Sequence, residues 1–373
     1  MNSNKLILAG AHHLGGANSI MPVVNKLRSE GYEVPFYVSG VVYKSLSSKV
    51  GENEFKLPGF YSCKGLEELF NLEGGFPKAV LVGTSVTEPS VPVVLDQMFV
   101  KIARDLDIPS VGVLDNWKSY IQRFTDNEGK LVYLPDTICV MDELAKNEMI
   151  FNGIAEENIL VTGNPAKDSL ISRKKNKFEE RANFRKHLGL GEDERIIFYM
   201  GQPLADENGV HQDEVRKRTF FDLISSIPDG SKLVVRSHPR ETLQDLLDIA
   251  SLRPFKGKVV FDNNDFSKRY DMVGSLLGSD VNVAVHSDTL NDSISLGVPA
   301  ISIQKYLPSR YRVDLPGIRA GTMPVVSDSN SVFDILNNVL GNPQNYIRKI
   351  NFRSFTPQKN ATENVVDVIK NYI

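Results

Sequence analysis

The sequence predicts an α/β protein of two Rossmann-like domains, each a doubly wound parallel sheet, that face each other across a cleft. Three observations predict this fold class. Short apolar runs alternate with segments of helical periodicity, the alternation stops once near the middle of the chain and then restarts, and 373 residues is the length of two ordinary domains. Strands that alternate with helices are typical of parallel sheets covered on both faces.

The first half of the chain contains six predicted strands, each a short apolar run that ends in Gly or polar residues. They are Leu6–Ala9, Val34–Val38, Ala79–Val82, Ser110–Leu114, Thr137–Met141 and Ile159–Val161. Apolar residues at helical spacing predict helices over Ile20–Ser29 and Val93–Leu106. The Lys- and Arg-rich stretch Ser172–Lys186 then interrupts the alternation, and we expect a solvated helix or a hinge there.

The second half repeats the pattern and sets the domain boundaries. Its predicted strands are Arg195–Met200, Lys232–Val235, Lys258–Phe261, Val281–Val285 and Ala300–Ile303. We expect a first domain over residues 1–168 and a second over residues 169–354. Residues 355–373 are predicted to form one helix, beginning near Thr362 and Glu363, that packs back on the first domain.

Composition and charge exclude several classes of partner. A net charge of −3 gives no bulk attraction to nucleic acid or to an anionic membrane, and no apolar run approaches the roughly 20 residues of a membrane span. The two cysteines, Cys63 and Cys139, lie far apart, which excludes a disulfide framework and a Cys-rich zinc site. We expect a cytoplasmic protein without a metal cluster.

The loop after the first predicted strand contains His12, His13, Gly15 and Gly16 and opens a helix. Its glycines allow close backbone approach, so an acceptor molecule is expected to enter over Gly15 and Gly16. His12 or His13 is a candidate general base or substrate contact; the alternative is a tight turn with two exposed histidines. Because the loop has neither GxGxxG nor Walker spacing, nicotinamide and ATP-hydrolysing functions lose support.

The third predicted strand leads into a loop rich in hydroxyl groups and one carboxylate. Thr84 and Ser85 are candidate contacts for sugar hydroxyls, and Glu88 is a candidate general base. The alternative is that Ser85 or Thr87, ahead of Glu88 and Pro89, caps the next helix.

The fourth predicted strand is followed by Asp115, Asn116 and Trp117. The only tryptophan of the chain thus stands beside a carboxylate and an amide, a mixture suited to stacking on a ring and binding its rim. Asn116 and Trp117 are therefore candidate contacts for the sugar or acceptor, and Asp115 is a candidate base. The alternative is a capped helix start with a core tryptophan.

In the second half, Arg236 and His238 follow a predicted strand, where a diphosphate can meet fork-shaped donors. The alternative is a surface ion-pair cluster with Glu241. A later strand leads into His286, Ser287, Asp288, Thr289 and, one turn into a helix, Asp292.

Hydroxyl groups in this later loop are candidates for phosphate oxygens, and Asp292 is a candidate for the ribose hydroxyls. His286 and Asp288 belong to the same predicted nucleotide-sugar site, although Asp288 is itself negative, and a helix cap is the alternative role for Asp288. The alternative for the whole segment is a helix that is merely well capped.

These segments, in this order, resemble the GT-B superfamily and within it most nearly the UDP-N-acetylglucosamine 2-epimerase-like group. The stretch from Gly153 through Gly163-Asn164-Pro165 to Asp168 looks like that group's end-of-first-domain signature. The loop from Gly83 to Thr87 is similar to its Gly-Asp-Thr-Thr-Thr loop, and residues 286–292 look like its Asp-Ser-Gly-Gly-x-x-Glu motif. The resemblance implies a phosphate site at Ser287 and a ribose site at Asp292.

The chain departs from the epimerase pattern at several positions. Thr84 stands for the loop aspartate, and Asp288 and Thr289 stand for the two glycines. The segments that correspond to Val-Glu-Ala-Gly-Leu-Arg and His-Arg-Arg-Glu are Val113 to Lys118 and Gly201-Gln202-Pro203-Leu204. Asp115 replaces the catalytic glutamate only after a one-residue shift. The pair His238-Pro239 is also similar to that of bacterial GT-B transferases, in which it contacts the nucleotide phosphates.

The resemblance implies a nucleotide-sugar-dependent glycosyltransferase that acts in bacterial glycan or glycoconjugate biosynthesis. The expected ligand is a UDP-sugar, with a CMP-sugar as second choice, and no further cofactor. One alternative is a hydrolysing UDP-N-acetylglucosamine 2-epimerase-like enzyme, and another is a non-catalytic nucleotide-sugar-binding protein. The acceptor stays open, and a homodimer is compatible with the resemblance.

Overall fold

The chain forms two compact units in a computed structural model. The first domain is Met1–Ser169 with Pro357–Ile373, and the second domain is Leu170–Thr356. The structure describes residues 5–50, 55–57, 70, 76–86, 94–202, 212–238, 241, 243–262, 268–343, 345–346 and 358–373, with backbone only at 47–50 and 212.

The first domain is built on a sheet of six parallel strands. They are β1 Ile7–Ala11, β2 Phe36–Val38, β3 Ala79–Val82, β4 Ser110–Val113, β5 Thr137–Val140 and β6 Ile159–Val161. Their spatial order is β2-β1-β3-β4-β5-β6, so the direction of winding reverses between β1 and β3. In open α/β sheets, ligands bind at the carboxyl ends of the strands where this reversal occurs.

The second domain has a sheet of the same size with a different order. Its strands are β7 Arg195–Met200, β8 Ser231–Arg236, β9 Val259–Phe261, β10 Val281–Ala284, β11 Ala300–Ile303 and β12 Val325–Val326. The order β12-β11-β10-β7-β8-β9 is that of dinucleotide-binding Rossmann domains and reverses between β7 and β10.

Helices connect the strands and cover the sheets. In chain order they are α1 Leu14–Ser29, α2 Gly40–Val50, α3 Leu95–Asp105, α4 Glu143–Phe151, α5 Asp168–Arg173, α6 Lys177–Leu188, α7 Gln212–Ser225, α8 Gln244–Ser251, α9 Met272–Gly278, α10 Thr289–Ser295, α11 Pro316–Arg319, α12 Val332–Gly341 and α13 Ala361–Lys370. In the part of the chain that the structure describes, no helix has both the length and the apolar character to cross a membrane.

The two parallel sheets with flanking helices confirm the predicted fold class. Each of the eleven predicted strands is present with bounds that differ by at most two residues, and only β12 was not predicted. Successive residues of β1 point to opposite faces: Ile7 and Ala9 pack with α1, whereas Leu8 packs with α3. The Lys- and Arg-rich stretch forms α5 and α6, and Phe184 of α6 is fully buried rather than solvated.

The last helix, α13, packs on the first sheet and is held there by the segment that follows β6. The Asp168 carboxylate accepts hydrogen bonds from the backbone N–H groups of Ala361 and Thr362 at 2.9 and 2.8 Å, which caps the helix N-terminus. Gly163 has a φ of +92°, and a Cβ there would lie 2.7 Å from Ala361 Cβ. Gly163 and Asp168 therefore serve the docking of α13.

Candidate functional site

In the first domain, three strand-end loops meet at the point where the winding reverses. Gly15 and Gly16 open α1 against the loops that follow β3 and β4. A Cβ at Gly83 would lie 2.9 Å from Gly16 Cα, and a Cβ at Gly15 would lie 2.1 Å from Asp115 Oδ2. Side chains are excluded at these positions, so the start of α1 contacts both loops directly.

An ion pair fixes Asp115 at this point. The Arg123 guanidinium donates from Nη1 to Asp115 Oδ1 at 2.8 Å; 6% of the Arg123 side chain and 18% of the Asp115 side chain are exposed. The same Nη1 contacts Thr84 Oγ1 at 3.2 Å and also donates to the Thr84 carbonyl. One buried cation therefore joins the loops after β3 and β4.

The predicted sugar contacts Thr84 and Ser85 are buried, and their hydroxyls bond within the domain. Thr84 Oγ1 donates to the Val113 carbonyl at 3.3 Å, and Ser85 Oγ accepts from the His13 N–H at 3.2 Å. The prediction that these hydroxyls bind a sugar is therefore not supported. In the described residues the next helix is α3, which begins at Leu95, so Ser85 does not cap it. Thr87, Glu88 and Pro89 lie outside the described residues.

The two histidines of the first loop differ in their contacts. His12 Nδ1 accepts the backbone N–H of Leu95 at 3.3 Å, which satisfies a free donor at the start of α3. That nitrogen cannot take a substrate proton while the bond persists. The His13 ring is half-buried and stacks edge-on against His12 with 5.2 Å between ring centroids.

A carboxylate that the sequence analysis did not single out lies behind this loop. Asp96 is almost fully buried, and its Oδ2 accepts the Ser85 N–H at 2.9 Å. Burial raises its pKa, opposed by the hydrogen bonds from Ser85 and by the nearby His12 and His13. In the sequence, the feature that could have identified Asp96 is its place as an acidic residue inside the apolar run that opens α3.

The predicted stacking platform, Trp117, is largely a core side chain. Its indole N–H donates to both carboxylate oxygens of Asp142 at 3.0 and 3.2 Å, and its ring packs on the hydrophobic cluster beside β5. Asp142 also caps α4 by accepting the Ala145 N–H at 2.8 Å, and burial raises the pKa of Asp142 to about 6. These contacts favour the core alternative for Trp117. Asn116, beside it, is half-buried.

In the second domain, Gln202 bridges the two strands at which the winding reverses. Its Oε1 accepts the His286 N–H at 2.7 Å, and its Nε2 lies 3.5 Å from His286 Nδ1. Glu241 accepts the N–H groups of Gln202 and His238 at 3.0 and 2.6 Å, and it forms no ion pair with another of the described residues. These bonds tie together the loops that follow β7, β8 and β10.

The Arg236 guanidinium bonds to residues inside the second domain. Its Nε donates to Asp262 Oδ2 at 2.6 Å, and its Nη2 donates to the Tyr270 carbonyl and to Ser275 Oγ at 2.9 and 2.7 Å. The guanidinium also stacks on the Phe198 ring. Because these donors are used inside the domain, the predicted contact between Arg236 and a phosphate is corrected to a structural one.

The loop after β10 places its hydroxyls together. Ser287 Oγ donates to Thr289 Oγ1 at 3.1 Å and accepts the Thr289 N–H at 3.3 Å. The alternative in which Asp288 caps α10 is wrong, because its side chain makes no capping bond and Ser287 meets the first N–H instead. Asp292 is half-buried in the first turn of α10. Among the described residues, no three His, Cys, Asp or Glu side chains are arranged to hold a metal ion.

No protein-family model matches the chain, and no curated protein matches it. Solved structures with the same fold are found. The UDP-GlcNAc 2-epimerase from Neisseria meningitidis, bound to UDP-GlcNAc, is similar with a TM-score of 0.66 and 14% identity over 98% of this chain and 100% of that one. MurG from Acinetobacter baumannii is similar with a TM-score of 0.63 and 15% identity over 98% and 99%. The glycotransferase of kitacinnamycin is similar with a TM-score of 0.61 and 13% identity over 99% of both chains. The chain has the GT-B fold of these proteins.

Proposed function

We propose that the chain is a nucleotide-sugar-dependent glycosyltransferase that acts in bacterial glycan or glycoconjugate biosynthesis. The second domain binds the donor nucleotide, a UDP-sugar in the first place and a CMP-sugar in the second. The first domain supplies the general base, Asp115. No cofactor beyond the nucleotide sugar is included in the proposal.

The position and contacts of Asp115 are the observation that carries this proposal. It lies at the carboxyl edge of the first sheet, where ligands of α/β proteins bind. One of its oxygens is paired with a buried guanidinium, and the other faces Gly15 at the partly exposed start of α1. A carboxylate that is held on one side and accessible on the other is suited to accept a proton from a bound hydroxyl group.

The second domain supports the donor half of the proposal. Its strand order is the one that binds nucleotides at the β7 and β10 strand ends, and Gln202, His286 and Ser287 lie there. The fold likeness to UDP-GlcNAc 2-epimerases bound to UDP-GlcNAc supports a UDP-sugar as the first donor to test.

The proposed reaction needs one proton acceptor and donors for the leaving group. The acceptor oxygen forms a bond to the anomeric carbon as the bond from that carbon to the diphosphate oxygen breaks. The acceptor proton moves to Asp115, and the electron pair leaves with the nucleotide diphosphate. His238, His286, Ser287 and Thr289 are the proposed hydrogen-bond donors to that diphosphate, and Asp292 is the proposed ribose contact.

A hydrolysing 2-epimerase is the second candidate. Asp115 follows β4, where the resemblance implies the epimerase glutamate, and the meningococcal epimerase shares the fold. In that reaction Asp115 would act on the sugar ring itself, and no acceptor other than water would be needed. A protein that binds the nucleotide sugar without turning it over is the third outcome of the same experiment.

Incubation with UDP-GlcNAc alone, followed by NMR of the products, separates these functions. Slow or no release of UDP that becomes faster when candidate acceptors are added supports a transferase, whereas binding of UDP in calorimetry without turnover under either condition supports a non-catalytic binding protein. Release of UDP with a free epimerised sugar would replace the transferase by the epimerase. Native mass spectrometry of the gently purified protein identifies a co-purified nucleotide, and a different class of ligand would contradict the whole proposal.

The variant Asp115→Asn tests the base directly. The amide oxygen can still accept from Arg123 but no longer balances its charge, so we expect a less stable protein whose turnover falls by roughly 10² to 10⁴-fold; circular dichroism at the assay temperature checks that the variant is folded. Asp136→Asn is the matched control, because Asp136 accepts the Ser110 N–H at 2.8 Å at the opposite edge of the same sheet. Equal turnover in the two variants would remove Asp115 from the reaction.

A further inference from the structure

We infer that Arg123 is the positioning residue for Asp115: it holds one carboxylate oxygen so that the other is presented at the start of α1. The inference rests on the proposed function, because it assigns the partner that orients the proposed base. Arg123 lies outside the strand-end loops, eight residues after Asp115.

The burial of Arg123 is the first argument. Its side chain is 6% exposed, and Asp115 is the one carboxylate that forms an ion pair with it among the described residues. A buried cation needs a counter-charge because its desolvation is costly. Asp115 is therefore the partner that makes this burial tolerable, and its own position is tied to the guanidinium.

The guanidinium is fixed from several directions. Its Nε donates to the Lys118 carbonyl at 3.0 Å, and its Nη1 donates to the Thr84 carbonyl. The backbone of Arg123 is held as well, because Gln97 Nε2 donates to its carbonyl at 3.0 Å. The planar fork of a guanidinium directs several donors at once, which a lysine ammonium cannot reproduce.

The geometry at Asp115 completes the inference. Oδ1 is held at 2.8 Å from Nη1, and Oδ2 is the oxygen nearest to Gly15. Gly15 leaves the space that this oxygen occupies, since a Cβ there would overlap it. Arg123 thus sets which oxygen is bound internally and which is presented to a substrate.

A double-mutant cycle tests the inference with Arg123→Lys and Asp115→Asn. The lysine keeps the charge but loses the fork, and misplacement of a catalytic group by about 1 Å costs roughly 10²-fold. We expect kcat of Arg123→Lys to fall by that order with the donor KM unchanged. In the Asp115→Asn background, the same substitution should cost no further turnover, because its effect acts through Asp115.

Arg104→Lys is the matched control. Arg104 also donates to two backbone carbonyls of the first domain, those of Val132 and Leu134 at 2.9 and 2.5 Å, but it does not contact Asp115. Its kcat should be that of the unchanged protein. An Arg123→Lys protein with normal kcat, or losses that simply add in the double variant, would overturn the inference.

A readout independent of activity separates this inference from the proposed function. The ¹³C resonance of the Asp115 side-chain carboxyl, assigned with Asp115→Asn, should shift in Arg123→Lys and stay in place in Arg104→Lys. An unmoved resonance in Arg123→Lys overturns the inference even if the enzyme is a transferase. If the resonance moves but no nucleotide sugar binds or reacts, the proposed function is the part that fails. Should Arg123→Lys not fold, Arg123→Gln gives the same readout.

Discussion

Each domain contains a buried arginine that pairs with an aspartate, and the two pairs differ in exposure. Arg123 lies in the connection between β4 and β5, and Arg236 is the last residue of β8. Arg123 pairs with a carboxylate that keeps 18% of its side chain exposed, whereas Arg236 pairs with Asp262, whose side chain is wholly buried. The first pair therefore keeps a partly exposed carboxylate, and the second does not. We expect a buried arginine to mark a functional site only when its partner carboxylate still reaches solvent.

The contrast extends to the loops around each pair. In the first domain, Arg123 joins two strand-end loops next to the helix that opens the candidate site. In the second domain, Arg236 ends β8 and bonds to Asp262, directly after β9, and to Ser275 of α9. The loops that follow β7, β8 and β10 are joined by the Gln202 amide and the Glu241 carboxylate, without an arginine.

The largest expected effect breaks the Arg236 pair. Arg236→Met leaves the Asp262 carboxylate buried without its cation, which should lower the free energy of unfolding by about 3–5 kcal/mol. Urea unfolding measures it. Arg236→Met with Asp262→Asn should recover part of the loss. Unchanged stability with weakened UDP binding would return Arg236 to the phosphate site and remove the contrast between the two domains.

A third buried carboxylate, Asp142, sharpens the comparison because it forms no ion pair with a cation among the described residues. Burial raises its pKa to about 6, so between about pH 4 and 6 the folded protein binds a proton that the unfolded chain releases. Stability from this group is therefore lost as pH rises through that window. Asp142→Asn removes the titration while the amide oxygen still caps α4.

The measurement is the difference in unfolding free energy between Asp142→Asn and the unchanged protein at several pH values. The variant should gain stability relative to the unchanged protein from pH 4 to pH 7, by on the order of 2 kcal/mol. If this difference in unfolding free energy stays constant or falls as pH rises, ionisation of Asp142 does not destabilise the folded protein.

The smallest effect concerns the second domain's uncharged link. Gln202→Ala removes the acceptor of the His286 N–H and should weaken UDP binding by about 1 kcal/mol, which is roughly fivefold in Kd. Calorimetry measures it, and Gln244→Ala is a control because the exposed Gln244 side chain, among the described residues, bonds only Asp248 within α8. Equal Kd values for the two variants would exclude Gln202 from the donor site.

The fold was predictable because strands buried on both faces are continuous apolar runs. β3, β6, β7 and β11 were predicted with their observed bounds, whereas β12 contains only Val325 and Val326 and offers no pattern to detect. The position of a site at the strand ends was equally predictable, since the alternation of strands and helices fixes which loops lie at the carboxyl edge.

The partners within the site were not predictable, because they depend on pairings between distant parts of the chain. Arg236 meets Asp262 only because β8 and β9 are neighbours. Thr84 and Ser85 have the composition of a sugar site, yet their hydroxyls are used by Val113 and His13, which lie on other loops or strands. Trp117 pairs with Asp142, 25 residues later. Sequence alone identifies residue types at an edge, but not the direction in which each side chain points.

The capping of α13 by Asp168 has a consequence for biosynthesis. Val365, Val366 and Ile369 of this helix belong to the core that covers one face of the first sheet. The ribosome releases them only after the whole second domain, so the part of that face that α13 covers stays exposed until then, although α1 and α2 already cover the rest. Nascent chains halted before Ala361 should therefore expose an apolar surface on an otherwise formed sheet, and the order in which the domains mature is the reverse of the order in which they are translated.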